Sequence, residues 1–144
     1  MECDRLKTFL VLIGLMILGN AHAIAGNIYI YYHVSNKENL DLVKAKRIFQ
    51  GDKLTWENGL NIIILLDQID IISDTEFKEF SQLNKAEFLD LWRVKFFSGR
   101  ALAPIQIRNK SKAFEALIEN PTSLFFSFKK IEIADPILEK VLVY

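Results

Sequence analysis

The run Leu-Asn-Ile-Ile-Ile-Leu-Leu at 60–66 limits the possible folds of this chain more than any other stretch. It is apolar, dominated by β-branched isoleucine, and reads as a buried strand. Asn58-Gly59 precedes it, a tight-turn dipeptide because both residue types tolerate positive φ. Further upstream Gly51 reads as a helix stop, which leaves Lys53 and Trp56 in a short loop. A large aromatic in such a loop either covers the core or faces a ligand. Trp contributes mainly buried area, so core cover is the first expectation.

The remaining elements follow from the same signals. The stretch 27–34 is dense in Ile, Tyr and Val and predicts the first strand, ended by Ser35-Asn36. A helix from about Leu40 to Phe49 is expected, capped by Asn39 or Ser35 and stopped by Gly51. Ser73 or Asp74 caps a short helix with Phe77 and Phe80 on one side. Asn84-Lys85-Ala86-Glu87 has the form of a capping box and opens a stronger helix through Phe97. Its Phe88, Leu91, Trp92 and Phe96 keep amphipathic spacing, and Gly99 ends it. Ala103 to Ile107 predicts a short strand, with Pro104 marking an edge or a strand start. Ser111 caps a helix carrying Phe114, Leu117 and Ile118, which stops before Pro121. Ser123-Leu-Phe-Phe-Ser-Phe and Glu139-Lys-Val-Leu-Val-Tyr read as the last two strands. Strands alternating with helices predict an α/β layer fold with a mixed sheet flanked by helices.

The N-terminal segment reads as a leader. Thr8 to Gly19 is apolar but short of the roughly 20 residues a spanning helix needs. Arg5 and Lys7 precede it, and two small-x-small sites follow, Ala21-His22-Ala23 and Ala23-Ile24-Ala25. That is the layout of a cleaved secretory signal peptide over residues 1–25, with export to the periplasm. An uncleaved anchor is the alternative, and only then is the membrane a partner. The single Cys, Cys3, lies before the apolar run, so it is not a lipid-modified cysteine at the cleavage site. Cleavage after Ala25 leaves residues 26–144, one domain by length, without a cysteine. Leader and remainder each balance their charges, and the whole chain has a formal net charge of zero. A nucleic-acid partner would need a basic excess and is not expected.

Catalytic constellations are scarce. The expected mature chain has one His, His33, at a strand end. With no Cys beside it, a His/Cys metal site and a Cys-His nucleophile pair are excluded. No nucleophile elbow, phosphate-binding P-loop or dinucleotide fingerprint occurs, so neither an enzyme nor a cofactor is expected. An oxyanion can be held without catalysis by helix N-terminal N–H groups, Ser/Thr hydroxyls and an Arg. Three places offer such parts: Ser35-Asn36, Ser73-Asp74-Thr75 and Ser98-Gly99-Arg100. Ordinary capping and turn chemistry is the simpler explanation of each. Asp67, Asp70, Asp74 and Glu76 surround the second and would compete with a bound anion. Lys44, Lys46, Arg47 and Lys53 read as a solvated face.

Longer motifs carry a resemblance. Ile48-Phe49-x-Gly51 followed by Trp56-x-Asn58-Gly59 and an apolar strand resembles a signature of small exported proteins similar to phosphate ABC-transporter substrate-binding proteins. Trp92 with Phe97-Ser98-Gly99-Arg100 is similar to a second motif of that family. Lys112 to Phe128 and the closing Lys140-Val-Leu-Val-Tyr are similar to its late helix, Asn-Pro, strand and final strand. The resemblance implies a periplasmic-binding-protein fold of the second type, reduced to about one lobe, whose relatives bind phosphate between two lobes. Two departures bear on function. Where full-length phosphate binders have an Arg and a Gly-Ser-Gly-Thr loop after the strand, this chain reads Asp67-Gln-Ile-Asp-Ile-Ile-Ser-Asp-Thr75. The family's late Gly-Ala-Ile-Gly-Tyr is replaced by Thr122-Ser-Leu-Phe-Phe126, without the glycines that permit close backbone approach to a ligand.

Two readings result. In one, the chain is a solute-binding-like domain whose inherited task is non-catalytic binding of phosphate or a similar small oxyanion. Its binding residues would be Ser35, Ser73, Thr75 and Arg100, with Trp56 as a structural residue behind them. In the other, the lobe has lost its ligand and serves as an interaction module for an envelope protein partner.

Overall fold

The computed structural model describes residues 28–36, 38–134 and 138–142, the last of these as backbone. The leader expected at 1–25, with both small-x-small sites, lies outside the described residues. Five strands, β1 (Tyr29–His33), β2 (Ile63–Asp67), β3 (Ile105–Ile107), β4 (Ser123–Ser127) and β5 (Leu138–Leu142), form one mixed sheet in the order β3-β2-β4-β1-β5. Strand β2 runs parallel to β3 and β4, while β1 is antiparallel to β4 and β5. Four helices flank it: α1 (Leu42–Phe49), α2 (Asp74–Ser81), α3 (Lys85–Phe97) and α4 (Lys110–Glu119).

Both faces of the sheet are covered, which explains why the run around β2 is apolar throughout rather than alternating. Successive strand residues point to opposite faces. Ile64, Leu66, Leu124 and Phe126 join Phe49 of α1, Phe77 and Phe80 of α2, and Phe88 and Trp92 of α3 in the larger cluster. Tyr31, Leu65 and Phe125 face Ala113 and Leu117 of α4 in the smaller one. Phe49 lies at the centre of the larger cluster, its ring 4.6 Å from that of Phe88 and 5.0 Å from those of Phe80 and Phe126.

Helix starts obey capping chemistry, though not always at the residue the sequence suggests. Ser73 and Asn84 close full capping boxes with Glu76 and Glu87. The cap of α1 is Asp41, not Asn39 or Ser35; its carboxylate accepts the Lys44 N–H at 2.8 Å. Leu40 is buried just before it, which draws the chain inward and delays the first helical turn. Asn109 rather than Ser111 caps α4, accepting the Ser111 N–H at 2.9 Å, so Ser111 already lies inside the first turn. Strand β2 begins at Ile63 rather than Leu60, because Asn61 bridges back to Thr55 and the Trp56 N–H donates to the Leu60 carbonyl. Gly59 closes that turn at φ +82°, while Asn58 stays at negative φ.

Candidate functional site

Helices α2 and α3 follow β2 on one face of the sheet, and α4 follows β3 on the other. From β2 the chain leads to β3 on one side and then crosses back to β4 on the other, so the carboxyl ends of β2 and β4 mark a topological switch point, where open α/β sheets bind ligands. Asp67 and Gln68 stand on one side of it, Ser127 and Phe128 on the other. Asp67 is a buried carboxylate held by neutral donors: the Ser127 hydroxyl at 3.0 Å and the Gln68 N–H at 3.0 Å.

The N-terminus of α2, which carries Ser73 and Thr75, is already occupied by the chain itself. Ser73 Oγ accepts the Glu76 N–H at 3.2 Å and donates to Glu76 Oε2 at 2.7 Å, and the same Oε2 accepts the Ser73 N–H at 3.1 Å. The Ser73 hydroxyl and N–H hold the Glu76 carboxyl below its ordinary range. Asp74 beside it pairs with Lys85 at 3.2 Å. Thr75 is exposed in the first turn. An anion approaching here meets a carboxylate where free N–H groups would have attracted it. The N-terminus of α4 differs: its first turn holds no acid, and Arg108, Lys110 and Lys112 flank Asn109.

Ser35 and Arg100 lie towards the opposite end of the sheet. Ser35 borders a cleft of about 400 Å³ shared with Asn36, Glu38, Trp56, Leu60 and Thr122. Its hydroxyl is 2.7 Å from His33 Nδ1, which also accepts the Ser35 N–H at 3.1 Å, so both are tied up in a strand-end turn. Arg100 is exposed beside a separate cleft of about 320 Å³ lined by Leu54, Asn61, Ile62, Trp92 and Phe96. A five-residue strand spans roughly 16 Å, so Ser73 and Thr75 at one end of β2 are out of reach of an anion held by Ser35 or Arg100 at the other. The four residues do not converge.

The Ser35 cleft has its own electrostatics. Glu38, deeply buried, accepts the Glu57 N–H at 3.0 Å and pairs with Lys53 at 3.0 Å and Lys44 at 3.5 Å. Lys44 and Lys53, read from the sequence as part of a solvated face, are thus half of an internal ion cluster. No periodicity marks Glu38 in the sequence; only folding brings it to its lysines. Asp67 did carry a signal, as the acid that closes an apolar strand.

The motif residues hold the scaffold together. Trp56, buried in the same cluster as Ile48 and Phe49, donates its indole N–H to the Thr122 carbonyl at 2.9 Å. Trp92 donates to the Phe49 carbonyl at 3.0 Å, and Lys95 Nζ to the Gly51 carbonyl at 2.8 Å. Helix α3 thereby satisfies carbonyls at the end of α1, and the Trp56 loop is fastened to the turn before β4. Among the described residues no cluster of three metal-ligating side chains occurs, and no helix is long and apolar enough to cross a membrane.

No family model and no curated protein matches the sequence. Among solved structures, the chain is similar to an ABC-type phosphate transport receptor from Vibrio cholerae, at a TM-score of 0.54 and 18% identity. The likeness covers 80% of this chain and 45% of the receptor. This chain therefore has the α/β fold of a periplasmic binding protein, with a mixed sheet flanked by helices, over less than half the length of that receptor.

Proposed function

We propose that this chain is an exported, periplasmic solute-binding-type lobe that acts by docking to protein rather than by enclosing an anion. The observation that carries the reading is the capping box at Ser73 and Glu76, which fills the helix N-terminus beside the switch point with the chain's own carboxylate. A buried Asp67 at the end of β2 acts in the same direction. The repulsion between like charges at contact distance offsets much of what a charge-assisted hydrogen bond from an Arg contributes.

Residual binding of a small oxyanion such as phosphate is the second reading, and the acid-free N-terminus of α4 with its three flanking cations favours it. With attraction and repulsion nearly balanced, phosphate is expected to bind no more tightly than about millimolar. Isothermal calorimetry of the full chain with phosphate tests this. A micromolar constant overturns the docking reading. Glu76→Gln, which removes the competing charge but keeps a capping partner, is expected to tighten whatever phosphate binding exists by several-fold.

A further inference from the structure

The cleft beside Arg100 carries a charge that the chain does not match. In the larger Ser35 cleft, Glu38 and Glu57 are paired with Lys44 and Lys53. In the groove between α3 and β3, Arg93 is paired with Asp90 at 2.7 Å. The guanidinium of Arg100 has neither an ion pair nor a hydrogen bond among the described residues, and no carboxylate lines its cleft. The last turn of α3 does not claim it. There the carbonyls of Val94, Lys95 and Phe96 accept the backbone N–H groups of Ser98, Arg100 and Gly99, each at 3.0 Å. Ala101 and Leu102 line the cleft next to Arg100, and their N–H groups donate to no described residue. A guanidinium followed by two unengaged backbone donors supplies what an anionic head needs. Apart from Asn61 and Gly99, the rest of the lining is apolar: Trp92 and Ile62, both buried, with Leu54 and Phe96 beside them.

We infer that this cleft binds a small monocarboxylic acid with a compact apolar body. Its carboxylate meets Arg100 and the N–H groups of Ala101 and Leu102, and its body lies against Trp92 and Ile62. Size, charge and lining select that occupant together. At about 320 Å³ the cleft has the volume of a small-ligand site, with the expected mostly apolar lining and few polar groups. The unmatched guanidinium selects an anion, and a carboxylate accepts two parallel hydrogen bonds from its fork. The apolar remainder selects against phosphate, whose outer oxygens would lose water against Trp92 and Ile62 without gaining a partner. A neutral ligand of the same shape leaves the charge of Arg100 unmatched, and a cationic one is repelled by it.

The inference goes beyond the docking reading, and the two fail separately. Micromolar phosphate affinity overturns that reading and leaves this cleft untouched; a chain that ignores carboxylic acids does the reverse. The test titrates the full, ¹⁵N-labelled chain with phenylacetate and follows its amide and indole resonances. The Ala101 and Leu102 amides and the Trp92 indole N–H are expected to shift together and to saturate with a millimolar dissociation constant. Phenylacetamide, which has the same shape without the charge, is expected to bind at least tenfold more weakly. Arg100→Gln is expected to weaken phenylacetate by the same factor. Arg100→Lys, which keeps the charge and loses the fork, is expected to weaken it by only about threefold. Arg100 is exposed, so both variants are expected to fold, and unchanged resonances in the rest of the spectrum verify that they do. Any one of four results overturns the inference: no saturable shift up to about 50 mM, equal affinity for acid and amide, an Arg100→Gln variant that binds as the natural chain does, or shifts centred on Arg108 and Lys110 instead.

Discussion

Burial alone would raise the Glu38 carboxyl above its ordinary range, but Lys53, the Glu57 N–H and Lys44 outweigh it and hold it below. The folded chain thus binds this proton less readily than the unfolded one. The stabilisation is complete above the ordinary carboxylate range and is lost as acid titrates the folded group. Glu38→Gln is expected to cost about 1–3 kcal/mol at neutral pH, since two partly exposed lysines regain water when their partner is neutralised. Urea denaturation at pH 7 and below pH 4 checks this; the gap between natural chain and variant is expected to narrow in acid. Trp56 is the other residue whose role the structure defines. Its burial and its N–H to the Thr122 carbonyl agree with the expectation of core cover. Trp56→Ala is expected to cost about 3–5 kcal/mol, and Trp56→Phe, which removes the N–H together with part of the buried ring system, about 1–3 kcal/mol. An unchanged denaturation midpoint in either variant contradicts that assignment. Trp56 was legible in the sequence because two turn signals bracket it, whereas Glu38 was not, because its partners come from α1 and from the loop beyond it.

Elements were legible where their ends are set locally. A capping box needs only three or four adjacent residues; that of α3 stands where the sequence puts it, and α2 is capped by Ser73, one of the two residues the sequence offers. The starts of α1 and α4 depend on where Leu40 and Asn109 are drawn by the rest of the fold, so each moved by two residues. The end of α1 combines both kinds of information. Gly51 stops it at φ +72°, as a local rule predicts, while Trp92 and Lys95 reach across from α3 to its carbonyls. A Cβ at position 51 would lie 2.8 Å from Lys95 Cε, on a flexible side chain that can move aside. Gly51→Ala is therefore expected to cost about 1–2 kcal/mol, mostly from the backbone conformation, as read by thermal melting. The motif residues thus explain why the fold was readable while the site was not. Trp56, Trp92 and Gly51 fix how elements meet, and Ser35, Ser73, Thr75 and Arg100 inherit positions from those elements without being brought to one point.

Over the whole molecule, the two covered faces meet at β4, every residue of which is buried. On the α4 side the fold is closed by Tyr31. Its hydroxyl donates to the Ile131 carbonyl at 3.1 Å and accepts the Ile131 N–H at 2.7 Å, fastening the stretch after β4. Burial raises its pKa above 10, so the unfolded chain ionises first and stability falls as pH rises past that value. Tyr31→Phe is expected to cost about 1–3 kcal/mol and to abolish slow hydrogen exchange at the Ile131 amide. The strand that carries Tyr31 has a further consequence. Although β1 comes first in the chain, its partners are β4 and β5, with Tyr29 opposite Ser127 and Leu142. A growing polypeptide has nothing for β1 to pair with until Ser123–Ser127 has been made. The sheet then closes through contacts almost a hundred residues apart, a topology that folds slowly. Chains ending before Ser123 are expected to remain protease-sensitive throughout, with no partially protected N-terminal fragment. The natural chain is expected to become resistant in one late step. Such timing leaves the backbone groups of β1 unpaired until β4 has been made.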